Sequence, residues 1–182
     1  MTMWKRITAA LAGILIAVGA AQTVAVEDAS AFEFGPGSYL VQGVVDLEDC
    51  DLRFGGLDYD DRGSYCYEYD TADSTYFYKE NGKRGYKVEL YSEGDLGAKF
   101  ECHPSRNQIM VYDTLNDGDG IYWEVFTSNG PLFLKAPGTS KKVEYNTYSV
   151  SGNVTRVTVW DNANRTDQIT SMSWHAGPLC KL

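Results

Sequence analysis

From Gly37 onward, apolar and polar residues alternate in short runs, and Gly, Asn, Asp or Pro separates one run from the next. Successive side chains of an extended chain point to opposite faces, so a two-residue period gives each run one face to bury and one to leave in water. No stretch sustains the 3.6-residue period of a helix. The pattern confines the chain to sheets, with strands expected at 38–46, 64–69, 75–80, 83–92, 96–102, 108–114, 121–128, 132–135, 142–150, 154–160 and 169–175. So many short strands exceed one open sheet, which curls or divides as it widens. The expected fold is all-β: a two-sheet β-sandwich of short antiparallel strands.

The N-terminus follows another pattern. Lys5 and Arg6 precede an uncharged run from Ile7 to Ala21, and Ala29-Ser30-Ala31 places small residues before Phe32. A basic start, a short apolar core and a small-residue cut mark a secretory signal. Gln22, Glu27 and Asp28 close the run before it reaches the length of about 20 apolar residues that a membrane span needs. The expected organisation is a signal peptide over 1–31 and one β-sandwich domain over 32–182. The product is expected to be secreted, with no membrane contact after cleavage. The style of the signal suggests a bacterial source.

Cys50, Cys66, Cys102 and Cys180 all lie beyond the expected cut. An exported chain meets an oxidising space, where thiols pair, so two disulfides are expected to stabilise the domain. Four cysteines allow three connectivities. The pairing Cys50 with Cys66 and Cys102 with Cys180 is favoured, because it closes one short turn-rich segment and ties the C-terminus to the middle of the sheet.

The formal net charge is -9, and loss of Lys5, Arg6, Glu27 and Asp28 with the signal leaves it unchanged. Nucleic-acid backbones are bound by Lys and Arg displacing counterions, so an acidic chain is a poor match for them. No nucleic-acid partner is expected.

Tyrosine supplies the sharpest functional signal. Tyr65, Tyr67 and Tyr69 alternate along one run and therefore share a face, as Tyr76 and Tyr78 do along the next. Asn81-Gly82 follows, and this pair is the strongest short signal for a type I′ hairpin. Such a hairpin sets Phe77 opposite Tyr86 and Thr75 opposite Val88. Phe77, Tyr86, Val88 and Leu90 then face the core, while Tyr76, Tyr78, Lys87, Glu89 and Tyr91 face outward and Gly85 lies opposite Tyr78. An outward set of tyrosines offers contact area and a hydrogen-bonding tip at little entropic cost.

A second aromatic candidate is Trp160, which shares its strand face with Arg156 and Thr158, while Val157 and Val159 point inward. The polar loop Asp161-Asn162-Ala163-Asn164 beside it suits a ring that stacks on a sugar. Trp123 with Ile121 and Val125, and Trp174 with Met172, read as core.

No metal or cofactor is expected. Asp113 to Glu124 matches the EF-hand spacing at several positions, but Leu115 stands where an oxygen ligand is required and the flanks read as strands. His103 and His175 are the only histidines. Neither an HExxH pair nor a GxSxG elbow accompanies them, so no catalytic residue is nominated. His103, before Pro104, reads as a turn residue.

The functional expectation is a secreted, non-enzymatic protein-binding module, a subunit or adaptor of an extracellular assembly. Its contacts would run through Tyr65, Tyr67, Tyr69, Tyr76 and Tyr78 or through exposed strand edges, to which the arm Phe32–Gly37 could contribute a strand. Two alternatives stand beside it: a carbohydrate-binding domain centred on Trp160 with Arg156, and a secreted protease inhibitor that presents the Cys50–Cys66 loop.

Overall fold

The computed structural model describes residues 36–114, 120–137 and 144–182. The signal segment, most of the arm from Phe32 and positions 115–119 of the acidic loop lie outside the described residues. Among the described residues thirteen strands follow one another: β1 (Tyr39–Asp46), β2 (Leu52–Gly55), β3 (Asp60–Asp61), β4 (Tyr65–Glu68), β5 (Thr75–Tyr78), β6 (Arg84–Ser92), β7 (Asp95–His103), β8 (Gln108–Asp113), β9 (Tyr122–Thr127), β10 (Gly130–Lys135), β11 (Glu144–Ser149), β12 (Val154–Trp160) and β13 (Gln168–Ser173). Among these residues no helix is long and apolar enough to cross a membrane.

The strands form three antiparallel sheets. Six strands run in the order β11-β8-β7-β6-β1-β2, four in the order β10-β9-β12-β13, and three in the order β3-β4-β5. Alternation along the six-stranded sheet turns Tyr86, Val88 and Leu90 of β6, Phe100 of β7 and Val111 of β8 to one face. There they pack against Trp123 and Val125 of β9, Val157 and Val159 of β12 and Met172 of β13. Burial of each such side chain contributes roughly 1.5–3 kcal/mol, so this sandwich is the main source of stability. The core tyrosine hydroxyl is satisfied: Tyr86 donates to Gln42 Oε1 at 2.7 Å.

Cys50 pairs with Cys66 and Cys102 with Cys180. Their sequence separations of 16 and 78 correspond to roughly 3 and 4.5 kcal/mol of lost unfolded-chain entropy. The second bond seats the C-terminus between the sheets, where Cys180 bridges to Val154 of β12 and Lys181 to Arg84 of β6.

The third sheet departs from the sequence expectation. It caps the opposite face of the six-stranded sheet as a lid, so the molecule is a sandwich with an added layer. The Asn81-Gly82 hairpin does not form: β5 pairs with β4, while β6 pairs with β1 and β7. Gly82 has a positive φ but Asn81 does not, and a type I′ turn requires both. That geometry belongs instead to Glu93 and Gly94, with φ 53° and 94°, between Ser92 and Asp95 of paired β6 and β7. Phe77 therefore lies over β6 from another layer. A Cβ on Gly85 would come within 3.0 Å of its ring.

Candidate functional site

The lid turns one face to each environment. Cys66, Glu68, Thr75 and Phe77 point inward and are buried; Tyr65, Tyr67, Tyr76 and Tyr78 point outward. Register pairs Tyr65 with Tyr78 and Tyr67 with Tyr76. The Tyr76 ring sits 5.2 Å from that of Tyr65 and 5.1 Å from that of Tyr67, within the range for favourable aromatic pairs. Arg62 lies 4.7 Å over Tyr67 and Arg106 lies 5.0 Å over Tyr78. Tyr69 is 69% exposed, Tyr76 47% and Tyr78 46%, and Tyr65 and Tyr67 are half-buried. None of the five belongs to the core.

Beneath this face lies a buried layer of charge that includes Lys87 and Glu89, which the alternation pattern places outward. Lys87 and Glu89 of β6 and Lys99, Glu101 and His103 of β7 share the face turned to the lid, and all are buried. The lid adds Glu68, Asp70 and Asp73. Lys87 Nζ reaches Asp70 and Glu89 at 2.7 Å each and also contacts Glu68. Lys99 Nζ reaches Asp70 and Glu101 at 3.0 Å each, contacts Asp73, and lies 4.1 Å over the Tyr112 ring. Glu101 accepts from Thr75 Oγ1 at 2.5 Å, and its other oxygen lies 2.7 Å from His103 Nε2. The expectation of a turn role for His103 is thus corrected; it ends a strand and joins this layer.

Burial and pairing compete at each group. Desolvation pushes Glu68 up to about 7 despite the adjacent Lys87 ammonium. Desolvation also acts on Asp70, but the ammoniums of Lys87 and Lys99 outweigh it and hold Asp70 well below the usual carboxylate range. Glu101 falls to about 2, because His103 and Lys99 overcome its burial. Burial alone would lower Lys87, and the carboxylates of Glu89, Asp70 and Glu68 reverse that and raise it.

Two carboxylate groups bring ligand oxygens within 4.8 Å of one another: Glu68, Asp70 and Glu89, and Asp70, Asp73 and Glu101. An ammonium already stands among each set, Lys87 in the first and Lys99 in the second. The position a cation would take is held by a side chain. Thr75, Glu101 and His103 form a hydroxyl–carboxylate–imidazole chain, but the three are 1%, 2% and 6% exposed and sealed beneath the lid. The arrangement binds two layers together.

The far side of the molecule carries Trp160 and Arg156, away from the tyrosines. They belong to the outer face of the four-stranded sheet, with Val157 and Val159 fully buried behind them. Trp160 is half-buried and donates from Nε1 to Glu124 Oε2 at 3.3 Å; Arg165 Nη1 meets the other oxygen of Glu124 at 3.1 Å. Glu124 is therefore engaged on this face. Asp60 pairs with Arg62 and Asp61 with Lys79. The segment from Cys50 to Cys66 supplies β2 and β3 and buries Leu57 and Tyr59, so it is built into two sheets and does not stand free.

The buried layer had a signal in the sequence. Lys87-Val88-Glu89 and Lys99-Phe100-Glu101 repeat one pattern on neighbouring strands, with Lys87 opposite Glu101 and Glu89 opposite Lys99. Complementary charges in register flanking core residues are a mark of a paired interior face.

The chain matches no protein-family model, no curated protein and no solved structure. Two disulfides fit an extracellular or otherwise oxidising compartment.

Proposed function

We propose that this protein is a secreted, non-enzymatic interaction module that holds a protein partner against the outer face of its lid. The observation that carries the reading is the tyrosine ladder: Tyr65, Tyr67, Tyr76 and Tyr78 project from paired strands in register, with Tyr69 beyond them. Rigid aromatic side chains lose little entropy on binding, and Tyr and Arg are enriched where interfaces concentrate their energy. Arg62 and Arg106 border the rings. The face is stiffened from below by the ionic layer and at its margin by the Cys50–Cys66 bond. Export fits the apolar N-terminal run and the oxidised cysteines. The outer strands of the three sheets, such as β13 and β11, offer a second route through unpaired backbone groups.

The test uses the oxidised protein and a Tyr76→Ser, Tyr78→Ser variant as baits in culture medium of the producing organism. A partner retained by the parent and lost from the variant supports the proposal. Equal recovery by both, or by neither at micromolar bait, removes the tyrosine face from the function.

A further inference from the structure

The outer face of the four-stranded sheet is a regular grid. Register aligns Pro131, Phe126, Arg156 and Ser173 in one row, Phe133, Glu124, Thr158 and Ser171 in the next, and Lys135, Tyr122, Trp160 and Gln168 in the third. Strand spacing makes it about 14 Å across. Tyr122 and Phe133 stack with centroids 5.7 Å apart and planes 12° from parallel. Three of the four aromatics carry a cation: Lys135 lies 5.4 Å from Tyr122, Arg165 lies 5.4 Å from Phe133, and Arg156 lies 3.7 Å over Phe126.

The sign of the charge is the informative part. On a chain of net charge -9, the three rows hold Lys135 and Arg156 against the single carboxylate Glu124, and Arg165 reaches Glu124 from the loop after β12. Glu124 is engaged by Arg165 and Trp160. Among the described residues neither Arg156 nor Lys135 forms an ion pair. A guanidinium stacked on a ring keeps its in-plane N–H donors free to grip a carboxylate with two parallel hydrogen bonds.

We propose that this face binds an acidic polysaccharide, a glycan whose sugar rings bear carboxylates. The cations take the carboxylates, and the exposed Ser171, Ser173 and Gln168 supply hydroxyl and amide groups for sugar hydroxyls. The edges of Tyr122, Phe133 and Trp160 meet the apolar C–H surface of the rings. An acidic peptide would satisfy the cations but offers neither sugar C–H faces for the aromatics nor hydroxyls for Ser171, Ser173 and Gln168. This site lies at the opposite end of the three layers from the tyrosines and stands or falls separately from the protein-binding reading.

The experiment is affinity electrophoresis of the oxidised protein through gels containing polygalacturonate, its methyl ester or polyglutamate. Retardation is expected in polygalacturonate alone and is expected to weaken at least tenfold in Arg156→Gln, Lys135→Gln. Neither substitution orphans a described carboxylate, and Lys135→Gln alone serves as the milder variant, with the thermal midpoint checking that each is folded. Tyr76→Ser, Tyr78→Ser is expected to migrate like the parent. Mobility unchanged in polygalacturonate, or equal retardation of parent and folded charge variants, overturns the proposal. Equal retardation by the neutral ester overturns its acidic part, and equal retardation by polyglutamate overturns the choice of a glycan.

Discussion

Lys87 stands opposite Glu101 across the β6–β7 ladder, yet its ammonium turns to Asp70 of the lid at 2.7 Å. Lys99 makes the same choice, reaching Asp70 at 3.0 Å. One carboxylate thus bridges two lysines from two strands, and this ionic layer shares the contact between layers with an apolar cluster of Val45, Leu47, Leu57, Tyr59, Cys66 and Phe77. Ion pairs that leave water for a protein interior lose hydration of several kcal/mol per ion, which their mutual attraction offsets only when the geometry is complete.

Removing one member should therefore unbalance the rest. Lys87→Met leaves Glu68, Asp70 and Glu89 without the ammonium they share, and its expected cost is about 3–5 kcal/mol. Urea unfolding measures it. Adding Glu68→Gln to the same chain should recover part of the loss, since it deletes a carboxylate that no longer has a counter-ion. A variant within about 0.5 kcal/mol of the parent, the scale of an exposed substitution, would place Lys87 at the surface.

The layer also dictates how stability responds to pH. Glu101 titrates at about 2 in the fold against 4.5 ordinarily. Its contribution is present above 4.5 and is lost as pH falls from there toward 2. Asp70, also lowered, acts in the same direction. Glu68 does the reverse, because it titrates at about 7 in the fold against 4.5: between those values the folded protein keeps a proton that the unfolded chain has released. Its contribution is present below 4.5 and is lost as pH rises through 7. Thermal midpoints should peak near pH 5, and Glu68→Gln should flatten the descent from 5 to 7. A parent midpoint that climbs steadily from 5 to 8 contradicts this assignment.

Alternation revealed the sandwich because each of its faces meets a single environment: Val157 and Val159 inward, Arg156 and Thr158 outward. The same rule failed for Lys87 and Glu89, and Lys99 and Glu101 on the neighbouring strand are buried beside them. A polar residue in a strand reads as solvent-facing, and only a third layer, supplied by distant residues, changes that. β7 is buried from Leu96 to His103, so Lys99, Glu101 and His103 are interior in defiance of their chemistry. That Tyr65 shares a face with Tyr67, and Tyr76 with Tyr78, followed from alternation alone, which needs no knowledge of the partner strand. Their proposed hairpin with β6 did need it, and Asn81-Gly82 supplied the wrong one. Trp160 was placed on its face, but the cations that cap Tyr122, Phe126 and Phe133 come from three separate elements and had no signature along the chain.

Gly85 separates the two pictures of β5 and β6 by the sign of one substitution. In a strand with ordinary φ, replacing glycine by alanine stabilises by about 0.4–1 kcal/mol, because the unfolded chain loses freedom. The φ of Gly85 is ordinary, as it is absent from the positive set. Had β5 paired with β6 in a hairpin, Gly85→Ala would follow that rule. In the stacked arrangement the new Cβ meets three atoms of the Phe77 ring at 3.0 to 3.1 Å, and relieving that contact means shifting the lid. Overpacking of this kind costs typically 1–3 kcal/mol, so urea unfolding should show Gly85→Ala less stable than the parent. Phe77→Leu gives the comparison its control: it opens space over Gly85, so the alanine should be better tolerated in Phe77→Leu than in the parent. Stabilisation by Gly85→Ala in the otherwise unchanged chain would return β5 to the edge of β6 and dissolve the third layer.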